Sequence, residues 1–284
     1  MPKLVWSCLL TVAAIPAVVL SSTDSGAQAT TQRETFDVAS IRVSQSGSAR
    51  PIRLHPSGLD VSNATALELI EFAFDVIERD VVGEFPSWVK TTPFDVAART
   101  ANGPLTPRQV RAMARALLED RFRLNASSER VDGRVYALVS ARPDGGVTGA
   151  LLRTSLSTCD VDAPLSDAVE RRAPARVLSL LDMCGLSTVT EGGTLTGLLG
   201  TNVTMQELAV QLSRVGGFGL PVVDRTGLDG RFDVVIAPQP DMVAPRSEVR
   251  FLMALREQAG LTLRAEQGSF EVLRIRSIEQ PSPN

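Results

Sequence analysis

Histidine is almost missing from this 284-residue chain, and His55 is the only one. A hydroxyl or thiol nucleophile usually relies on a histidine base oriented by a third group. Here that base could only be His55, in a polar, Pro-flanked stretch, and the chain has no Gly-x-Ser-x-Gly elbow. Cysteine is scarce as well: Cys8, Cys159 and Cys184 are the whole set. Three or four clustered ligands make a zinc site, so no metal is expected, and no cofactor. Lysine is limited to Lys3 and Lys90, and arginine supplies the rest of the basic residues. The net charge of −3 offers no basic face for phosphates, which excludes nucleic acid as a main partner. Beyond Leu20 no apolar run approaches the roughly 20 residues of a membrane span.

The one long apolar run is Leu4 to Leu20, preceded by Lys3 and followed by Ser25-Gly26-Ala27. Residues 1–27 therefore read as an export signal cleaved before Gln28, with Cys8 inside its apolar core. An uncleaved anchor is the alternative. The expected compartment is periplasmic or extracellular, with no integral membrane segment left after cleavage. Such a compartment is oxidising, and two cysteines remain, so a Cys159–Cys184 disulfide is expected.

A pattern occurs twice. Gly58-Leu59 with Asn63, Thr65, Glu68 and Leu69 returns as Gly197-Leu198 with Asn202, Thr204, Glu207 and Leu208, at an offset of 139 (197 − 58). Phe94-Asp95-Val96 returns as Phe232-Asp233-Val234, at an offset of 138 (232 − 94). Self-similarity at one offset indicates an internal duplication. The recurring Thr-x-x-Glu sequences are capping boxes, in which the hydroxyl takes an orphan N–H and the glutamate reaches back. Each opens an amphipathic helix, with Leu67, Ile70, Phe74 and Ile77 on one stripe and Met205, Leu208, Leu212 and Val215 on the other.

Along the chain, Phe36–Val43 reads as a strand, Ser44–Pro56 as a polar loop and Pro93–Ala98 as a strand. Thr106-Pro107-Arg108-Gln109 opens a further helix. Arg123–Glu129 and Val135–Ser140 form a predicted hairpin around Asp132-Gly133, and Leu261–Ala265 with Phe270–Ile275 form another. Val222–Val235 reads as strand, tight turn, strand. A helix over 247–259 stops at Gly260. The expected fold is α+β, as two related modules, each with two helices on a small, mostly antiparallel sheet. The first module covers 28–140 and the second 196–284. A connection over 141–195 carries the prolines, Cys159 and Cys184, with room for a short helix at 165–183.

These stretches resemble the soil-associated family of exported bacterial proteins, a domain of unknown function. The resemblance rests on Phe36–Ile41, Gly83 with Pro86–Val89, Phe94–Ala98, Leu117–Phe122, Val135–Val139, Cys184-Gly185, Val222–Asp233 and Glu271–Leu273. It implies no catalytic residues. The second module also resembles the short N-terminal domain of secretins and TonB-dependent receptors, through Leu255–Leu261 and the segment after it. That resemblance implies docking to envelope proteins, by fold alone.

Candidate ligand-binding residues are Trp88, Asp224, Arg225 and Asp233. Trp88 is a ligand platform or packing material. The charges on Val222–Val235 bind a ligand or form a solvated strand face. Gly216-Gly217-Phe218-Gly219 follows a helix, not a strand, and so fails as a phosphate loop. Three functions are compatible: a non-catalytic module binding an envelope protein or peptide, a hydrolase using Asp95, Asp224 or Asp233 in a cleft between modules, or a structural cell-surface protein. The first leaves no residue set that demands chemistry, because caps, turns and core account for the repeated positions.

Overall fold

The computed structural model describes residues 34–45, 50–142, 151–160, 162–166, 184–191, 194–215, 217–237 and 247–282. Residues 1–27, read above as an export signal, and most of the 165–183 stretch lie outside the described residues. From residue 34 onward the chain forms one compact unit.

The first half contributes β1 (Val38–Val43), β2 (Arg50–His55), β3 (Gly58–Thr65), α1 (Ala66–Phe74), β4 (Val81–Val82), α2 (Trp88–Thr91), β5 (Pro93–Arg99), α3 (Pro107–Arg121) and β6 (Asn125–Ser140). The second half contributes β7 (Leu152–Thr154), β8 (Gly185–Glu191), β9 (Thr194–Val203), α4 (Met205–Val215), β10 (Val222–Asp224), β11 (Phe232–Ile236), α5 (Ser247–Ala259) and β12 (Leu261–Ser277). The fold is α+β, with three four-stranded sheets ordered β1-β5-β3-β2, β10-β6-β12-β4 and β7-β11-β9-β8. The outer two sheets are antiparallel throughout and correspond strand for strand.

Both expected capping boxes form. Thr65 Oγ1 accepts the Glu68 N–H and Glu68 accepts the Thr65 N–H; Thr204 and Glu207 do the same for α4. The Thr106–Gln109 box opens α3. The residue two before each Thr cap, Asn63 and Asn202, sits at φ of 56° and 58°, the left-handed region that asparagine tolerates. Each asparagine's N–H is then held by an aspartate, at 3.0 Å from Asn63 to Asp95 and 3.1 Å from Asn202 to Asp233.

The closing segments depart from expectation. Neither Asn125–Ser140 nor Leu261–Ser277 folds back as a hairpin. Each is one long strand, and the two pair antiparallel with each other from Leu261–Ser140 to Ser277–Asn125. Gly133 faces Gly268 in this ladder. A Cβ on Gly133 would lie 3.1 Å from the Phe270 ring, and one on Gly268 would lie 2.8 Å from Val135. The glycines make room for cross-strand side chains instead of turning the chain. Val222–Val235 is not a hairpin either: β10 joins the central sheet parallel to β6, and β11 joins the third sheet. The Asp224 carboxylate accepts both the N–H and the hydroxyl of Thr226 at 2.8 Å, an Asx-type turn that sends the chain away at the strand's end. The predicted loop Ser44–Pro56 contains β2, with His55 at its end. The connection at 141–195 supplies β7 and β8 to the third sheet.

The core has two clusters, each crossing the halves. The first includes Ile70, Phe94, Val110 and Phe122 with Leu273 and Ile275 of β12; the second includes Leu208, Leu212, Val234 and Phe251 with Leu138 of β6. Phe122 is fully buried and meets Phe94 edge-on at 5.4 Å and Trp88 in a stack at 6.5 Å. Phe122→Ala is expected to cost about 3–5 kcal/mol in urea denaturation, the range for truncating a core aromatic. A loss below about 1 kcal/mol would show that this cluster does not carry the first half.

Candidate functional site

Over one face of the β6–β12 ribbon lies a groove of about 570 Å³. Its floor includes Ser128, Arg130, Glu271 and Leu273 of the ribbon, and its walls come from the C-terminal end of α1, from α4 and from β10. Apolar side chains at Phe74, Ile77, Val210 and Val222 alternate with Arg115, Arg130, Arg214 and Arg225 on one side of the balance, and Asp75, Asp80, Asp224 and Glu271 on the other.

Most of these charges are already engaged. Arg214 reaches across from α4 to pair with Asp75 at 2.8 Å and also donates to the Asp75 carbonyl. Arg79 holds Asp80 at 3.0 Å. Arg130 and Arg225 are looser, at 3.9 Å from Glu271 and 3.6 Å from Glu266. Arg115 donates to the Ala73 carbonyl at 2.6 Å and lies 5.1 Å over the Phe74 ring. On α1, burial raises the carboxyl of half-buried Glu71 above its ordinary value, helped by the like charges of Glu78 and Glu68 and opposed by the Glu78 backbone N–H and by Arg214.

The residues singled out by sequence fall in four places. Asp224 and Arg225 line the groove. Trp88 is half-buried against the first core cluster, beside Phe94 and Phe122. Asp95 lines a second, shallow polar hollow of about 380 Å³ on the β1–β5–β3–β2 sheet, with Arg42, Arg53 and Asp60. Asp233 belongs to the third sheet, where it accepts from Asn202 N–H and from the Ser155 hydroxyl at 2.6 Å. Asp95, Asp224 and Asp233 are therefore not gathered in one cavity. His55 Nε2 lies 2.8 Å from Asp60 Oδ2, and Arg99 donates to the same carboxylate, so the sole histidine closes the β2–β3 turn. Cys159 and Cys184 form a disulfide with their Cα atoms 5.6 Å apart. Among the described residues no helix is long and apolar enough to cross a membrane, and no group of three or more acidic, histidine or cysteine side chains could hold a metal.

Sequence reasoning missed Arg115, Arg130 and Arg214. They come from three different elements, α3, β6 and α4, and share no spacing, so no local signal could have joined them.

A family described as protein of unknown function (DUF3738) matches residues 67–278. The chain belongs to the DUF3738 family. The match runs from the first turn of α1 to just past β12, and so takes in every element of the groove. No curated protein and no solved structure matches this DUF3738 chain.

Asp95 provides a pH test. Burial alone would raise its carboxyl, but the Asn63 N–H, the Ser44 side chain and the Arg42 guanidinium outweigh burial and hold it below the ordinary carboxylate value. A group depressed on folding stabilises above its unfolded value, near pH 4, and loses that contribution as pH falls through its folded value. Asp95→Asn should therefore lower stability at pH 7 by about 1–3 kcal/mol, and the gap to the parent should narrow as denaturation is repeated towards pH 3. A gap that stays constant with pH would contradict a depressed Asp95.

Proposed function

We propose that this protein is an exported, non-catalytic binding module whose site is the groove between α1 and α4, and that its ligand is a protein or peptide of the cell envelope. The observation that carries this reading is the groove itself: an open hollow of about 570 Å³ built jointly by both halves, in which apolar side chains such as Phe74, Val210 and Val222 sit among arginines and carboxylates. The proposed catalytic carboxylates are instead spent on main-chain N–H groups and turns. The disulfide suits an oxidising compartment, which supports export with the segment at 1–27 acting as its signal.

We also infer that the halves arose by duplication. Arg42, Ser44, Asn63 and Asp95 surround one clamp; Arg153, Ser155, Asn202 and Asp233 surround the other. On this reading the second module starts near β7, earlier than the 196 boundary read from sequence, and much of 141–195 belongs to it.

The test is affinity capture from the native envelope with the full chain and with Val210→Arg, which places a long charged side chain in the groove. The expected result is a reproducible partner that the variant loses at least tenfold. A partner retained unchanged by the variant would move the site elsewhere. Measurable turnover on a peptide or glycan panel, with no partner recovered, would defeat the binding reading.

A further inference from the structure

Among the described residues, one margin of the groove is an unpaired strand edge. The Tyr136 N–H donates to the Pro221 carbonyl at 2.8 Å, and the Arg225 N–H donates to the Leu138 carbonyl at 2.9 Å. The even-numbered residues of β6 therefore turn their N–H and C=O away from β12. β10 covers that side only from Tyr136 to Leu138. Upstream, Ser128, Arg130, Asp132 and Arg134 turn the same groups outward, and among the described residues no strand pairs with them. Such a row of open backbone groups is a template for an added strand. Ser128 and Arg130 also line the groove, to which the start of β10 contributes Pro221 and Val222 further along.

Side chains two apart share a strand face, so this edge presents a neutral hydroxyl, then positive, negative and positive charge. Arg130 keeps 74 % of its side chain exposed, with its carboxylate neighbour 3.9 Å away. We propose that the edge takes an extended peptide of about seven residues as an added strand, carrying the alternating pattern acid, any, base, any, acid. The acids face Arg130 and Arg134 and the base faces Asp132, as cross-strand charge pairing requires. The pattern reads the same in both directions, so it holds for parallel or antiparallel docking. A second copy cannot use the same length of edge: with Arg130 set against Asp132 of the copy, the copy's β10 would fall where Ala126 lies. This inference rests on the groove reading and names the chemistry of its occupant.

The probes are fluorescein-labelled Thr-Glu-Thr-Lys-Thr-Glu-Thr and its charge-reversed counterpart Thr-Lys-Thr-Glu-Thr-Lys-Thr, titrated by anisotropy against the full chain. The first should bind about tenfold tighter. The triple variant Arg130→Glu, Asp132→Arg, Arg134→Glu, checked for native circular dichroism, should reverse the order. N-methylation of alternate peptide residues should abolish binding in one phase and spare it in the other, which a purely ionic contact would not do. Equal affinities, no binding of either peptide, an unmoved order in the variant, or tolerance of both N-methyl phases would each overturn the proposal. So would a chain that sediments as a dimer and falls to monomer in the variant, since the edge would then belong to a second copy. If a captured groove partner ignores the triple variant but is lost on Val210→Arg, the edge proposal fails while the groove reading stands.

Discussion

The antiparallel ladder between β6 and β12 is the interaction on which the rest of the structure depends. Its register sets Val131 opposite Phe270 and Asp132 opposite Ser269. Val131 and Ser269 are separated by the same offset as Phe94 and Phe232, and so are Asp132 and Phe270. Each residue at the ladder's centre therefore faces the residue one repeat offset away from its neighbour. The flanking strands come close to the same relation: Val222 pairs with Tyr136 and Val82 with Arg274; Tyr136 and Arg274 are 138 apart (274 − 136), Val82 and Val222 140 apart (222 − 82). Each half thus lays a short strand on the other half's final strand. Neither closing strand has its neighbours without the opposite half.

The repeat offset recurs in the groove. Asp75 and Arg214, the bridged pair between α1 and α4, stand at the offset that relates Gly58 to Gly197. Identical residues at those positions would repel or leave a charge unpaired. The unlike charges at the two positions form an ion pair instead. Arg214 keeps only a quarter of its side chain exposed, so removing one partner would leave the other poorly solvated. The groove's open strand edge likewise follows from the ladder, because β10 is three residues long and no other described strand covers the upstream part of β6.

Local chemistry was legible in the sequence, and long-range pairing was not. The Thr65 and Thr204 boxes, the α3 start at Thr106 and the end of α5 at Gly260 all rest on interactions within four residues, and all form as read. So does the cysteine pairing, since only two cysteines lie beyond the apolar run. The hairpin readings failed because Asp132-Gly133 carries the same local signal whether it turns a chain or lies flat in a ladder. What decides is Gly268 and Phe270, more than 130 residues away. The first strand of the second half was hidden for a related reason: only Arg42-x-Ser44 and Arg153-x-Ser155 match, two residues that acquire meaning once both are seen on an aspartate. Of the groove arginines only Arg225 was singled out; Arg115, Arg130 and Arg214 left no trace, because the topology alone brings them together.

If the ladder binds the halves into one cooperative structure, the chain's aromatic residues can report it. Trp88 sits against the first core cluster, and Tyr136, the only tyrosine, packs on Phe218 beside the second. The decisive measurement is urea denaturation followed at both sites, by Trp88 fluorescence and by the resonance of fluorinated Tyr136. Coincident midpoints, moving together when Phe122→Ala is introduced into the first cluster, are what a shared ladder requires. Two separate transitions, with the Tyr136 signal unmoved by Phe122→Ala, would contradict it.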